Sequence, residues 1–259
     1  MRTFNYKWLN ILAFAAVLAV NTLAETVPLG GKTTGEISAM FPVLFTPASY
    51  TFSMWILIYL LLAGFVVHQA LPGKDDVTPT IRSIGPLFVF SCLFNIGWIL
   101  LWHYLYTQVW VSLIAMIGLL TSLILIYNNL RKAGTFTTVE RWLVRLPFSI
   151  YLGWISVATI INAAVVLYDT QWNGFSFREE AWTVLMLAVG ALLAWVVGGP
   201  NRDPAFVLVF VWAYIGIAIK QQDIATVAYT AYGLAALLTL LAVSLTFSRR
   251  ADTHSASLQ

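Results

Sequence analysis

Leu146-Pro147-Phe148-Ser149-Ile150-Tyr151-Leu152-Gly153-Trp154-Ile155-Ser156-Val157-Ala158-Thr159-Ile160-Ile161-Asn162 is the stretch on which the reading of this chain turns. It is apolar enough to cross a bilayer, yet Trp154, Ala158 and Asn162 recur at four-residue intervals and therefore share one narrow stripe of an α-helix. A large ring, a small gap and an amide line up. An amide facing lipid costs on the order of a few kcal/mol unless it finds a partner, so this stripe is expected to look into protein or a cavity. A ligand is expected there.

The rest of the chain has the same character. Of its 259 residues 60% are hydrophobic and only 10% charged, and the mean hydropathy is +0.82. That is more apolar surface than a soluble core can hide, and it predicts an all-α, polytopic membrane bundle whose first partner is the lipid bilayer. The net charge of +3 does not point to nucleic acid, because the basic residues are scattered over short loops. Cys92 stands alone in an apolar run, which excludes a disulfide framework and a cysteine metal site.

Hydropathy predicts eight spans: Trp8–Leu23, Thr51–Leu71, Pro86–Tyr106, Val109–Tyr127, Leu146–Leu167, Trp182–Val197, Pro204–Ile219 and Ile224–Phe247. Threading them alternately places eleven of the fourteen Lys and Arg residues on one side, leaving Lys32, Arg178 and Lys220 on the other. By the positive-inside rule both termini are cytoplasmic, in what is read as a plasma membrane. Arg2 and Lys7 followed by an apolar run to Ala24 also fit a cleaved signal peptide, but the run is longer than a signal core of about 7–15 residues. It is read as a span.

The connection from Glu25 to Tyr50 is long for a loop. Thr33 and Glu36 have the spacing of a capping box, predicting a short helix toward Met40 that ends before Pro42. The loop is read as a lid over the outer face. The second span carries Trp55 and Tyr59 four residues apart, and the third carries Asn95, Trp98 and Trp102 on one face. With alternating directions, Trp55 and Asn162 fall roughly 9 Å outward of the midplane and Trp98 roughly 5 Å. Three spans converge on one depth, as an aromatic-walled pocket requires. Trp8, Trp110, Trp142, Trp172 and Trp182 fit an interfacial belt instead, whereas Trp98 and Trp154 lie too deep for one. In the sixth span Gly190, Ala194 and Gly198 form a small-residue seam for close helix approach, read as scaffold or dimer surface. Trp195, Trp212, Tyr229 and Tyr232 are expected to pack.

Catalytic patterns are missing. No charge sits securely inside a span, His68 and His103 belong to opposite ends of the bundle and cannot share a metal, and no nucleophile–base pair falls at one depth.

Taken in order, Pro47, Phe52, Trp55 and Tyr59 on the second span, Asn95-x-x-Trp98 on the third, and Leu146-Pro147 followed by Trp154-x-x-x-Ala158-x-x-x-Asn162 on the fifth resemble the tryptophan-rich sensory protein/translocator protein (TspO/MBR) family. Pro147 stands about one turn further upstream of the tryptophan than that family usually has it, the Phe52–Trp55 interval is a residue shorter, and Tyr50 replaces a customary tryptophan. The resemblance implies a five-helix ligand-binding bundle over residues 1–168, with residues 169–259 as a three-helix extension. It further implies a non-enzymatic sensor or carrier, commonly a homodimer, holding porphyrin, haem, sterol or drug-like aromatic ligands and needing no resident cofactor. Carried over by motif, Trp55, Tyr59, Asn95, Trp98, Trp154, Ala158 and Asn162 line the pocket; Trp102 joins them from the residues alone. A tetrapyrrole-degrading enzyme, a transporter and a structural partner protein stay open as alternatives.

Overall fold

A computed structural model describes residues 6–27, 29–71, 79–134, 136–172 and 177–256, with residues 248–256 described by their backbone only. Arg2, Lys74 and the side chains of Arg249 and Arg250, all used in the charge count, lie outside the described residues. The helices are α1 (Lys7–Thr26), α2 (Thr34–Ala39), α3 (Met54–Ala70), α4 (Pro79–Ile84), α5 (Leu87–Tyr104), α6 (Trp110–Lys132), α7 (Thr138–Glu140), α8 (Leu146–Asp169), α9 (Glu179–Gly198), α10 (Pro204–Lys220) and α11 (Ala225–Ala256). Among the described residues, seven helical segments are long and apolar enough to cross a membrane. The eighth expected span, α10, has 17 residues, or about 25 Å of rise, just under a typical hydrocarbon core. It starts at Pro204 behind the Asp203 cap, whose carboxylate accepts from Phe206 N–H at 3.4 Å.

The chain forms two compact units, one of Met1–Phe41 with Met54–Thr170 and one of Pro42–Ser53 with Gln171–Gln259. In the first, the helices close a ring in the order α1, α5, α6, α8, α3 and back to α1. The third and fourth spans are joined by the tight 3-10 turn Tyr106–Gln108, as their short link requires. Ahead of α8 the backbone takes a π turn over Arg141–Arg145, where Leu146 N–H donates to Arg141 O. Pro147 follows at the start of α8 and has no N–H to give.

The second unit is α9, α10 and α11 packed on one another. Its seam is closed from within: Gly190, Ala194 and Gly198 are all buried, and a Cβ on Gly198 would run into Val207 of α10. Three aromatics of this unit depart from expectation. Trp195, Tyr229 and Tyr232 point outward, with Tyr229 75% exposed, while Trp212 packs. On a helix apolar all round, periodicity does not mark the inner face. Residues 42–53 also belong here, so the lid of the sequence reading divides: residues up to Phe41 go with the first unit and Pro42–Ser53 with the second.

Gly198→Val is expected to destabilise the protein by about 1–3 kcal/mol through overpacking against Val207. Thermal unfolding in detergent checks this, with Gly233→Ala, which meets open space, as the control.

Candidate functional site

Trp55 and Tyr59 share a face of α3 because they are four residues apart, and their rings stack at 5.5 Å and 21°. On α5 the same spacing stacks Trp98 on Trp102 at 5.8 Å and 23°. The two pairs join through Trp55 and Trp98, at 6.4 Å and 26°. Tyr59, Trp55, Trp98 and Trp102 thus form a ladder of near-parallel rings across two helices. From α8, Tyr151 and Trp154 meet Trp55 edge-on at 6.1 Å and 6.2 Å. Trp55 touches four rings, each pair worth about 0.5–1.5 kcal/mol beyond its buried area.

One amide ties the polar atoms of this cluster together. Asn95 is fully buried. Its Oδ1 accepts from Asn21 Nδ2 of α1 at 2.9 Å, and its Nδ2 donates to the Tyr151 hydroxyl of α8 at 3.1 Å. Asn21 also donates to Val17 O one turn back. Among the described residues at the cluster, the buried Trp98 Nε1–H has no hydrogen-bond partner, while the Tyr59 hydroxyl lies beside Asn95.

The outer rung is covered by α2. The Thr33 hydroxyl accepts from Glu36 N–H at 3.2 Å while the Glu36 carboxylate accepts from Thr33 N–H at 2.7 Å, completing the capping box. Trp102 Nε1–H donates to Thr34 O at 3.4 Å, and Phe41 lies 6.2 Å from the Trp102 ring. His103 sits beneath the same turn, its Nδ1 bonded to Ile99 O at 2.8 Å and its Nε2 3.4 Å from the Thr34 hydroxyl. Nδ1 is the donor of its bond, because a carbonyl oxygen only accepts. The Thr33 N–H, followed by the Thr33 hydroxyl and Lys32, holds the Glu36 carboxyl below its usual range.

Of the residues singled out in the sequence, Trp55, Tyr59, Asn95, Trp98, Trp102 and Trp154 come together. Ala158 lies half-buried further along α8. Asn162 is buried but turns to α6, where its Nδ2 donates to the Ser112 hydroxyl at 3.4 Å; that hydroxyl gives its own proton to Val109 O. Tyr151 and Asn21 were missed. Tyr151 sits inside the decisive stretch but off the Trp154–Asn162 stripe, and Asn21 lies in the run that also reads as the tail of a signal sequence. A polar amide within an apolar helix was the available signal for Asn21.

A ring of helices enclosing buried aromatics and a three-way amide junction defines a polytopic helical membrane protein with a polar, ring-lined interior. The chain belongs to the TSPO-like protein family, whose model matches residues 7–244. The match runs well past residue 168, so α9, α10 and most of α11 are part of what the family model describes. No curated protein and no solved structure matches the chain.

Replacing Asn95 by Leu removes an acceptor from Asn21 and a donor from Tyr151; a loss of about 1–2 kcal/mol in detergent unfolding is expected. Acid should loosen α2. A carboxyl with a lowered pKa contributes its stability above the ordinary Glu range and loses it as pH falls through the lowered value. Hydrogen exchange over residues 33–41, corrected for intrinsic rate, should accelerate on acidification in the wild type and already be fast at neutral pH in Glu36→Gln.

Proposed function

We propose that the cluster on α3, α5 and α8 binds a flat, largely apolar ligand of the tetrapyrrole class, or a similarly shaped sterol-like molecule, and that the protein is a membrane sensor or carrier for it. The observation that carries this reading is Trp98: its indole N–H is buried among stacked rings with no acceptor. Leaving such a donor unpaired costs about 1–3 kcal/mol, which a ligand carbonyl or carboxylate would relieve while its plane lies against the ladder. Metal ligation is not needed for this mode. The residues gathered are indoles, phenols and an amide, so haem and metal-free porphyrin would be held through their rings and acidic edges.

Titration of purified protein with protoporphyrin, haem and sterols, followed by tryptophan quenching, tests the reading. Ala158→Leu should weaken porphyrin binding by about tenfold, near 1.4 kcal/mol, by filling the half-buried gap on the α8 stripe. Trp98→Phe should cost a similar factor while keeping the stack. Unchanged affinity in both would remove this cluster from the site.

Both termini are proposed to be cytoplasmic, on the strength of the Lys and Arg distribution, with the protein in the plasma membrane and acting as a homodimer as its TspO/MBR resemblance implies. A second reading is favoured by the ladder itself. Four near-parallel rings of low oxidation potential suit a light-driven breakdown of the bound tetrapyrrole. Spectral loss of porphyrin on illumination, abolished by Trp154→Phe, would select it.

A further inference from the structure

The side-chain bonds of Asn21, Asn95 and Tyr151, all in the first unit, run in one direction, and a backbone carbonyl sets it. Val17 O can only accept, so the Asn21 side chain must turn its Nδ2 toward it, at 2.9 Å. The second proton of that nitrogen goes to Asn95 at 2.9 Å, and the atom receiving it must be Oδ1, since Nδ2 there would set two donors face to face. Asn95 Nδ2 is thereby left facing Tyr151, to whose hydroxyl it donates at 3.1 Å. A phenol oxygen that accepts keeps its own proton for another partner, and among the described residues no carbonyl or carboxylate bonds to it. Handing that proton to the Tyr59 hydroxyl, which also lies beside Asn95, only frees the Tyr59 proton in its stead. Trp98 adds an N–H that is buried without a partner among the described residues. The rings of Tyr151 and Trp98 both pack against Trp55, at 6.1 Å and 6.4 Å. What they have left to give around Trp55 is protons, and a ligand must bring the acceptors.

We propose that Asn21 is a specificity-determining positioning residue: by fixing which end of the Asn95 amide faces Tyr151, it makes the site a proton-donating one, which selects ligands edged by acceptors alone, carboxylates above all, over ligands ending in alcohols. The polarity of the chain rests on the bonds above; its consequence for ligand choice rests on the function proposed for the cluster. A carboxylate draws a charge-assisted bond from each donor, roughly twice as strong as the one a neutral hydroxyl accepts, and brings no proton of its own. An alcohol does bring one, which the Trp98 N–H cannot take and the Tyr151 oxygen, already bonded to Asn95, takes poorly. Of the two ligand classes proposed, the acid-edged tetrapyrrole fits this polarity and the sterol alcohol does not.

The test uses the full chain in nanodiscs at alkaline pH, with Tyr151→Phe, Asn21→Asp and the pair Asn21→Asp/Tyr151→Phe. In Asn21→Asp a carboxylate accepts where an N–H donated, so the Asn95 amide must turn its Nδ2 toward it and offer Oδ1 to Tyr151, whose proton is then taken up there. Infrared spectra of the ligand-free protein are read first, the Tyr151 C–O stretch being isolated by subtracting the matching spectrum that lacks the hydroxyl. That band should move toward the position of a donating phenol in Asn21→Asp; an unmoved band overturns the hold of Asn21 on the amide. Tryptophan quenching then gives affinities for protoporphyrin and for the same porphyrin with both propionates reduced to alcohols. The wild type should prefer the acid by about tenfold, and each single variant by only about two- to threefold. The pair should match Tyr151→Phe alone, because both changes remove the same proton, whereas simple repulsion from the new charge would add to it. A wild type indifferent between acid and alcohol, or an additive pair, overturns the selectivity. So does an unchanged preference in Tyr151→Phe, which removes a single oxygen and keeps the test open should the charged variant fail to fold. If the wild type binds neither porphyrin while the band moves, the proposed function falls and the orientation of the amide by Asn21 stands.

Discussion

The first unit depends on a buried amide being satisfied. Inside a bilayer a polar side chain has no water to fall back on, so Asn95 must find both a donor and an acceptor among neighbouring helices. It finds them in Asn21 of α1 and Tyr151 of α8. Those two bonds fix α1, α5 and α8 in rotation as well as distance, because an amide accepts through one atom and donates through the other. Apolar packing alone leaves such helices free to slide, since lipid tails are as apolar as leucine.

The aromatic ladder exploits that fixed rotation. Stacking at 5.5 to 6.4 Å and 21° to 26° between rings on two helices requires their registers to agree to within a fraction of a turn. Once α5 is held by its amide, Trp98 and Trp102 are aimed, and Trp55 can sit between Tyr59 and Trp98 with two rings of α8 against its edges. A rigid stack and an unsatisfied donor, the Trp98 N–H, then coexist in one place.

The sequence exposed much of this, for definable reasons. Depth separated the tryptophans: Trp8, Trp110 and Trp142 are exposed by 69%, 52% and 64%, whereas Trp98 and Trp154 keep only 7% and 1%. Capping chemistry is local, so Thr33 and Glu36 located α2 to within a residue. What stayed hidden was long-range. Periodicity tells which face of a helix is special but not which neighbour receives it, so Asn162 was aligned with Trp154 although it pairs with Ser112. Likewise, nothing in residues 42–53 announces that their partners lie about 160 positions downstream on α10.

The π turn ahead of α8 carries one residue more than an α-helical turn would. One residue corresponds to about 100° of rotation, so Arg141–Arg145 works as a rotational slip joint between the basic surface turn and the buried stripe. A residue gained or lost in this joint would turn Arg141 and Trp142 about the axis while Tyr151, Trp154 and Asn162 kept their bearings. The distance in sequence from the basic turn to the buried rings of α8 can therefore change without moving those rings.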